Sequence, residues 1–254
     1  MTMLNRLRRA FSPGFGAELV PETGFAVIGD IHGRMDLLEQ MIEALGGQLG
    51  PETTLVFVGD YVDRGENSAD VLGALQALQG GLWPGQVICL KGNHESMMLG
   101  FLDTPDLDGQ FWLANGGMQT LASFDIRPPA PSATRQELWR TRDLLEDALG
   151  ADRLTWLRGL PLSYRSGNVF VSHAGADPHS PLDAQLDEHL LWGHPDFLVT
   201  DRRDGVWVVH GHTIFETARQ HRGRIGVDTG AYATNLLSAA FIDTHTCRFL
   251  TVRS

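Results

Sequence analysis

Acidic, imidazole and amide side chains recur in five short segments that contain glycine and directly follow apolar runs. The segments are residues 29–33, 59–65, 91–95, 172–175 and 210–213. Carboxylate, imidazole and amide-oxygen ligands together suit a borderline or hard divalent cation such as Mn, Fe or Zn. Since no thiolate is among them, they do not fit a structural zinc site built from cysteines. The residue types therefore predict a divalent-metal centre.

Three of these segments end predicted strands. Apolar runs at residues 25–28, 55–58 and 87–90 alternate with helical apolar spacing at residues 38–45 and 71–78. This alternation predicts a mainly parallel sheet with crossover helices. The carboxyl ends of parallel strands converge on one crevice. The side chains that would meet there are Asp30, His32, Asp60, Asn93 and His94.

A pair of cations needs a bridging ligand, and Asp60 is the central candidate. Two cations about 3.5–4 Å apart activate water and clamp phosphate oxygens. Each residue alone has an ordinary structural explanation, since Gly-Asp is common in turns and Asn93 could cap a helix. Five segments that all converge on one crevice are poorly explained in that way. His94 and Glu95 do not belong to a His-Glu-x-x-His zinc-protease motif, because Met98 stands where the second histidine would be.

The remaining chain predicts a helical insert and a strand-rich final third. The insert covers about residues 101–160, and Thr134 with Glu137 fits a capping box. The last three strands, at residues 224–227, 237–242 and 248–252, are expected in a second, mixed or antiparallel sheet. The predicted fold class is mixed α/β, with two facing mixed sheets flanked by helices. Residues 1–20 are predicted to be an N-terminal tail and residues 21–254 a single domain.

The composition limits the classes of molecule that the protein is expected to bind. A formal net charge of −11 argues against general nucleic-acid binding. It leaves room for a phosphorylated substrate, because a local metal charge can outweigh distant carboxylates. The two cysteines, Cys89 and Cys247, do not indicate a disulfide framework and favour a cytoplasmic location. No apolar run is long enough to span a bilayer, and no feature of the sequence indicates the oligomeric state.

Three of the segments carry a family resemblance. Gly-Asp-Ile-His-Gly, Gly-Asp-Tyr-Val-Asp-Arg-Gly and Gly-Asn-His-Glu occur in this order, with Asp30 and Asp60 30 residues apart and Asp60 and Asn93 33 apart. The set resembles the signature of the PPP-family serine/threonine protein phosphatases, which are calcineurin-like metallophosphoesterases. The chain looks similar to the compact bacterial and phage members and to symmetrical diadenosine tetraphosphatase. The resemblance implies a four-layer sandwich and two divalent metal ions, Mn²⁺ first, with Fe, Zn or Mg as alternatives.

The resemblance also implies roles for nine residues. Asp30 and His32 would bind the first metal, and Asp60 would bridge the pair. The ligands of the second metal would be Asn93, His173 and His212. His94 would be the general acid, oriented by Asp63, and Arg64 would bind phosphate oxygens. Substrate would therefore contact Arg64, Asn93 and His94.

Two positions need separate treatment. His210 competes with His212 as a ligand, and the resemblance favours His212. His194 stands where related compact phosphatases often carry a second phosphate-binding arginine. Arg202 and Arg203 are nearby candidates to replace it, and an ordinary surface role is an equal alternative for each.

The predicted function is metal-dependent hydrolysis of phosphate monoesters, through in-line attack by a hydroxide that bridges the metals. Phosphoserine and phosphothreonine in proteins are the expected substrates, with phosphotyrosine as a further one. The principal alternative is a symmetrical dinucleoside tetraphosphate hydrolase, which would use the same metals. A more distant alternative is an inactive module that binds phosphopeptides. The insert is expected to build the rim of the substrate pocket.

Overall fold

A computed structural model describes residues 15–254 of the chain. Two five-stranded sheets face each other, with strand orders β10-β9-β1-β2-β3 and β4-β5-β6-β8-β7. The first sheet contains β1 (Phe25–Ile28), β2 (Thr54–Phe57), β3 (Val87–Cys89), β9 (Leu236–Asp243) and β10 (Thr246–Arg253). The second contains β4 (Ser163–Ser166), β5 (Val169–Ser172), β6 (Trp207–His210), β7 (Arg219–His221) and β8 (Arg224–Gly226). Both sheets are mixed, which confirms the predicted architecture.

Crossover helices join the parallel strands of the first sheet. Helix α1 (Met35–Gly46) links β1 to β2, and α2 (Ser68–Ala77) with a short π-helical turn (Leu78–Leu82) links β2 to β3. The register pairs Ala26 with Leu55 in β1 and β2. These connections place the carboxyl ends of β1, β2 and β3 at one edge, as the alternating pattern predicts.

The expectation for the last three strands is wrong in part. Only β8 belongs to the second sheet, whereas β9 and β10 return to the first sheet, where β9 pairs antiparallel with β1. The physical reason is burial on both faces of β9. Ala239 packs among the helices and Ala240 packs between the two sheets, so β9 needs cover on both sides. A position beside β1 provides that cover.

The helices between β3 and β4 overlap the range of about residues 101–160 in which the sequence predicts an insert, and the first of them begins before it. They are α3 (Asn93–Asp103), α4 (Pro105–Trp112), a π-helical turn (Leu113–Gly117), α5 (Met118–Ser123) and α6 (Arg135–Arg158). The capping box of α6 forms: Thr134 N donates to Glu137 Oε2 at 2.7 Å, and Glu137 N donates to Thr134 Oγ1 at 3.3 Å. Two short helices, α7 (Asp187–Trp192) and α8 (Ala231–Thr234), follow later in the chain.

Alternation along the strands divides the core into layers. In β1, Ala26 and Ile28 pack against the helices, while Phe25 and Val27 face the second sheet. All four side chains are fully buried. A period of two is the period of a strand. The strands are therefore fixed on both faces, which makes their ends rigid supports for the polar residues that follow.

The predicted N-terminal tail is described only in part, because residues 1–14 lie outside the described range. From residue 15 onward the chain packs on the second sheet. The Phe15 ring lies edge-on to Trp207 at 4.9 Å, and Trp207 Nε1 donates to the Ala17 carbonyl at 2.9 Å. Leu19 is buried. Within residues 15–254, no helix is long and apolar enough to cross a membrane.

Candidate metal centre

The ends of five strands bring the predicted site residues together. Asp30, Asp60 and Asn93 follow β1, β2 and β3, and His173 and His212 follow β5 and β6. Seven of the nine predicted site residues are at most 3% exposed: Asp30, His32, Asp60, Asp63, Asn93, His94 and His173. Such burial of ionisable groups is uncommon in a protein interior unless the groups are paired or coordinate a metal.

Asp60 lies at the middle of the centre. Its Oδ2 is 3.4 Å from His32 Nε2 and 3.8 Å from His94 Nε2, and its Oδ1 is 3.4 Å from His173 Nε2. Two groups of three ligand atoms, each within 4.8 Å of one another, share this carboxylate. They are His32, Asp60 and His94, and Asp60, His173 and His212. Asp60 is therefore the one carboxylate common to two candidate cation positions in the described part of the chain.

Two of the buried histidines, His32 and His173, present unprotonated nitrogens to this carboxylate. His32 Nδ1 donates to the Val62 carbonyl at 2.9 Å, and His173 Nδ1 donates to the Val58 carbonyl at 3.1 Å. Burial lowers the pKa of His32 to about 3 and that of His173 to about 4, so both rings are neutral at pH 7. A backbone carbonyl on one nitrogen is the usual way to fix a metal-ligating histidine. The Nε2 lone pairs therefore face the centre.

The donor set fits cations. His173 Nε2 lies 2.8 Å from Asn93 Oδ1, so two lone-pair atoms face each other when Nδ1 carries the proton. His212 Nδ1 lies 3.1 Å from the same oxygen. A divalent cation bound by these atoms removes the repulsion between their lone pairs. Imidazole nitrogens with carboxylate and amide oxygens are suitable ligands for Mn, Fe or Zn.

Asp30 is held beside the two groups of ligands. Its Oδ2 and Oδ1 accept the His212 backbone N–H at 3.0 and 3.3 Å. Burial, followed by the charges of Asp228 and Asp60, raises the pKa of Asp30. Burial also raises the pKa of Asp228 to about 6. Three buried carboxylates so close together need positive charge nearby, which bound cations supply.

His94 and Asp63 form a hydrogen-bonded dyad next to Asp60. Asp63 Oδ2 is 2.6 Å from His94 Nδ1. Burial lowers the pKa of His94, but the charges of Asp60 and Asp63 and the Asp63 hydrogen bond outweigh it and raise the pKa above its usual value. Both ring nitrogens carry a proton in the charged form that these carboxylates favour, and the proton on Nε2, the nitrogen that faces the centre, is the one that can be donated.

Two residues of the insert complete the environment of Asp63, and the sequence reasoning gave neither a role. Trp112 Nε1 lies 3.1 Å from both carboxylate oxygens of Asp63. Thr120 Oγ1 donates to Asp63 Oδ1 at 2.6 Å. Trp112 and Thr120 are fully buried. The signal available in the sequence was Trp112 in the Trp-Leu-Ala-Asn-Gly-Gly run, which the family resemblance includes without a function.

Glu95 and Tyr232 were also missed. Glu95 accepts the backbone N–H groups of Asp60 and Tyr61, each at 2.8 Å, and burial raises its pKa to about 7. It therefore ties the loop that carries Asp60 to α3. The Tyr232 ring lies 4.5 Å from the Arg64 guanidinium carbon, in a cation–π contact. Arg64 Nη1 also lies 3.3 Å from His32 Nε2, so this arginine reaches the centre.

Backbone strain is concentrated at the centre. Five non-glycine residues of the predicted site have positive φ, between 47° and 73°: His32, Asp60, Asp63, Arg64 and His212. A positive φ is uncommon outside glycine and costs about 1–3 kcal/mol, and such strain persists where the surrounding structure enforces it. The fold therefore accepts strain in order to aim these side chains.

Residues 24–224, which are most of the chain, match the calcineurin-like phosphoesterase family. The chain belongs to this family. The phosphoesterase is 42% identical to serine/threonine-protein phosphatase 2 of Escherichia coli over 227 residues, 84% of this chain and 89% of that protein. It is 27% identical to an asymmetrical bis(5'-nucleosyl)-tetraphosphatase, PrpE, of Bacillus velezensis, over 84% of this chain and 87% of that protein.

Solved structures agree on the fold. The cold-active protein-tyrosine phosphatase of a psychrophilic Shewanella superposes with a TM-score of 0.61 at 18% identity, covering 92% of this chain and 83% of that one. The family resemblance and the fold class are thus confirmed. The phosphoesterase is a metal-dependent hydrolase with histidine and aspartate groups able to bind the metals.

His210 and Arg202, two other candidates of the sequence analysis, belong to neither group of ligands around Asp60. The His210 ring packs edge-on against Phe197 at 4.8 Å, and its Nδ1 is 3.0 Å from the Gly211 carbonyl. Arg202 pairs with Asp204 and donates to the Asp177 carbonyl at 2.7 Å. Arg202 is only 8% exposed, so its guanidinium supports a loop.

Proposed function

We propose that this phosphoesterase removes phosphate from phosphoserine and phosphothreonine in proteins, with phosphotyrosine as a further substrate. The observation that carries the proposal is the 42% identity to serine/threonine-protein phosphatase 2, which extends over 84% of this chain and 89% of that protein. A match over this share of the chain includes the insert that would contact substrate, and the family match over residues 24–224 includes the strand ends. The proposal therefore concerns the whole site as well as its metals.

Two divalent ions, Mn²⁺ first, fit the residues at the strand ends. Asp30 and His32 would hold one ion and Asp60 both, and the remaining ligands would be Asn93, His173 and His212. When bound, the pair would supply an activated water and neutralise phosphate oxygens. His94 Nε2 lies 3.8 Å from Asp60 Oδ2, close enough for both to bind one ion. The hydrogen bond from His94 to Asp63 favours the role of general acid instead.

Arg64 would bind the phosphate group. Its guanidinium offers a planar fork of donors that matches phosphate oxygens. The Tyr232 ring beneath it at 4.5 Å limits where the guanidinium can point. Asn93 and His94 would complete the contacts with substrate, since both side chains lie buried at the same edge of the sheet.

His94 would donate a proton to the leaving oxygen. A serine or threonine alkoxide is a poor leaving group, so proton donation at this oxygen lowers the barrier. Asp63 would hold the ring with Nδ1 protonated and Nε2 directed at substrate, as the carboxylate of a catalytic triad does for its histidine. The 2.6 Å contact between Asp63 Oδ2 and His94 Nδ1 supports this orientation.

Dinucleoside tetraphosphate hydrolysis is the second candidate. It is favoured by the 27% identity to the asymmetrical tetraphosphatase of Bacillus velezensis, which spans 84% of this chain. The sequence prediction named the symmetrical type of cleavage. The same metals, Arg64 and His94 could serve a phosphoanhydride, so substrate preference decides between the two candidates.

The test is steady-state hydrolysis by the chelator-stripped protein with and without added Mn²⁺. A phosphothreonine peptide, diadenosine tetraphosphate and para-nitrophenyl phosphate are compared at equal concentration, with His94→Asn beside the wild type. We expect Mn²⁺-dependent release that favours the peptide. A large preference for the dinucleotide would support the second candidate instead, and no turnover with bound metal would leave the phosphopeptide-binding module.

Two further predictions belong to this proposal. We propose that residues 21–254 act as one phosphoesterase domain, in which the insert at about 101–160 shapes the substrate pocket. The cytoplasmic location predicted from the cysteine content is the second, and both cysteines are free, Cys89 being buried.

A further inference from the structure

A second group of metal-ligating side chains lies outside the centre around Asp60. Asp177 comes from the loop after β5, His189 from α7, and His194 from the turn that follows α7. One ligand atom from each lies within 4.8 Å of the other two. We propose that these three side chains bind one divalent transition-metal ion, with Zn²⁺ as the best match.

The spacing of the ligands is close to what a single ion requires. His194 Nε2 and Asp177 Oδ1 are 3.8 Å apart, too far for a hydrogen bond. Two ligands with bonds of about 2.1 Å in a tetrahedral zinc site are about 3.4 Å apart. A small inward movement of the two side chains therefore brings both ligand atoms to bonding distance from an ion between them.

One member of the group has an unpaired buried atom. His189 Nδ1 is buried and has no hydrogen-bond partner, which is true of no other side-chain nitrogen or oxygen among the described residues. Buried polar atoms in folded proteins nearly always have a partner, and an ion is one explanation for an exception. The His189 ring also lies 4.7 Å from the His194 ring, so the two imidazoles are already adjacent.

The carboxylate of the group is already fixed. Asp177 Oδ1 accepts the His179 backbone N–H at 2.8 Å, and Oδ2 accepts the Ser180 hydroxyl at 2.6 Å. The buried guanidinium of Arg202 donates to the Asp177 carbonyl at 2.7 Å. Support of this kind around a ligand orients it before an ion binds. The loop that carries Asp177 thus needs little ordering on binding.

One contact opposes binding. The Asp196 backbone N–H donates to His194 Nδ1 at 3.1 Å, so the proton of the neutral ring lies on Nε2, facing Asp177. Ligation through Nε2 requires that proton to move to Nδ1. The Asp196 N–H must then donate to water instead of to His194. The Asp196 side chain is 49% exposed, so water can reach this turn. Binding is therefore weakened by this exchange and still allowed.

The donor set selects the class of ion. Two imidazole nitrogens and one carboxylate oxygen are the ligands of many zinc sites, with a further position left for water. Magnesium and calcium prefer oxygen ligands throughout. We therefore expect Zn²⁺ to bind and Mg²⁺ not to compete at equal concentration.

The test uses the full chain, stripped with chelator and reloaded with Zn²⁺ alone. Crystals are measured at the zinc absorption edge, and bound zinc per chain is counted by mass spectrometry. We expect an anomalous peak bounded by Asp177, His189 and His194. His189→Gln should remove this peak and one zinc per chain, and His194→Gln should do the same.

The matched control is His221→Gln, since His221 is exposed and belongs to none of the metal-ligating groups. This variant should keep the peak and the full zinc count. Zinc at the Asp60 centre without a peak at Asp177 would overturn the proposal, as would a zinc count unchanged by both histidine variants. The proposal does not depend on the phosphatase activity, so either can fail without the other.

Discussion

The strand ends and the helical insert both reach the metal centre, but they hold it by different contacts. At the strand ends the backbone touches the ligands directly. A Cβ added at Gly92 would lie 2.2 Å from Asp60 Oδ1, and one at Gly211 would lie 2.0 Å from Asp30 Oδ1. The insert reaches the Asp63 carboxylate through side chains, with Trp112 and Thr120 donating to it.

This difference separates two kinds of control over one reaction. The backbone at the strand ends leaves no space beside the ligands, so a small change there should displace a ligand and weaken metal binding. The hydrogen bonds from the insert reach Asp63. This residue orients His94 and belongs to neither group of candidate metal ligands. Changes in the insert should therefore alter proton donation while the metals stay bound. Variants in the two regions can test this separation.

Asp60→Asn should have the largest effect. It removes the carboxylate shared by both groups of ligands, so we expect bound Mn²⁺ and activity to be lost together. The rate should fall by about 10³-fold or more, since metals supply several kcal/mol of charge stabilisation. Metal content by mass spectrometry and peptide dephosphorylation are the measurements. The control is Asp152→Asn, an exposed aspartate of α6. Full activity in Asp60→Asn would refute the shared ligand.

Gly211→Ala should come next. The new methyl would lie 2.0 Å from Asp30 Oδ1 and 2.7 Å from Val58 Cγ2, so Asp30 or the His212 loop must move. We expect metal affinity to weaken by about 10- to 100-fold, the scale for displacing atoms that orient ligands. Isothermal titration with Mn²⁺ measures it. Gly80→Ala is the matched control, because nothing lies within 4 Å of its added Cβ. Equal affinity in both variants would contradict the tight strand ends.

His94→Asn should slow turnover and keep the metals. Loss of a general acid reduces rates by about 10²–10⁴-fold, and the loss should be large for a phosphothreonine peptide. It should be small for para-nitrophenyl phosphate, whose leaving group needs no proton. Equal slowing of both substrates would reject the general-acid role. Loss of metal would instead assign His94 to the group with His32 and Asp60.

The sequence predicts the strand-end half of the site well, for local reasons. Asp30, Asp60 and Asn93 each follow an apolar run, and the alternation with helices places the three strand ends at one edge. The structure brings these residues together with His173 and His212. The ligand roles stay predictions, because distances between donor atoms do not by themselves assign a metal.

The parts that the sequence does not predict depend on long-range contacts. β9 pairs with β1 across more than half of the chain, and no local pattern records that choice. Trp112 and Thr120 act on Asp63 through single hydrogen bonds between distant segments. Helical spacing explains the burial of Trp112 equally well without any role in the site. Periodicity detects faces and layers, whereas such hydrogen bonds appear only in three dimensions.

Trp112→Phe is the mildest change and the sharpest test of the insert. It keeps the buried ring but removes the N–H that lies 3.1 Å from both oxygens of Asp63. A hydrogen bond to a charged group contributes about 1.5–3 kcal/mol, roughly a ten- to hundredfold change in rate. We expect this loss on the phosphothreonine peptide, little change on para-nitrophenyl phosphate, and unchanged metal content.

The matched control is Trp156→Phe, which should behave as wild type. It removes an N–H that donates to Gln79 at 2.7 Å. Equal loss on both substrates would mean that Trp112 only stabilises the fold, because a displaced insert would disturb the site for every substrate. A loss in kcat confined to the poor leaving group, with KM unchanged, would place the effect at the Asp63–His94 dyad, and it would show that the insert controls proton donation separately from metal binding.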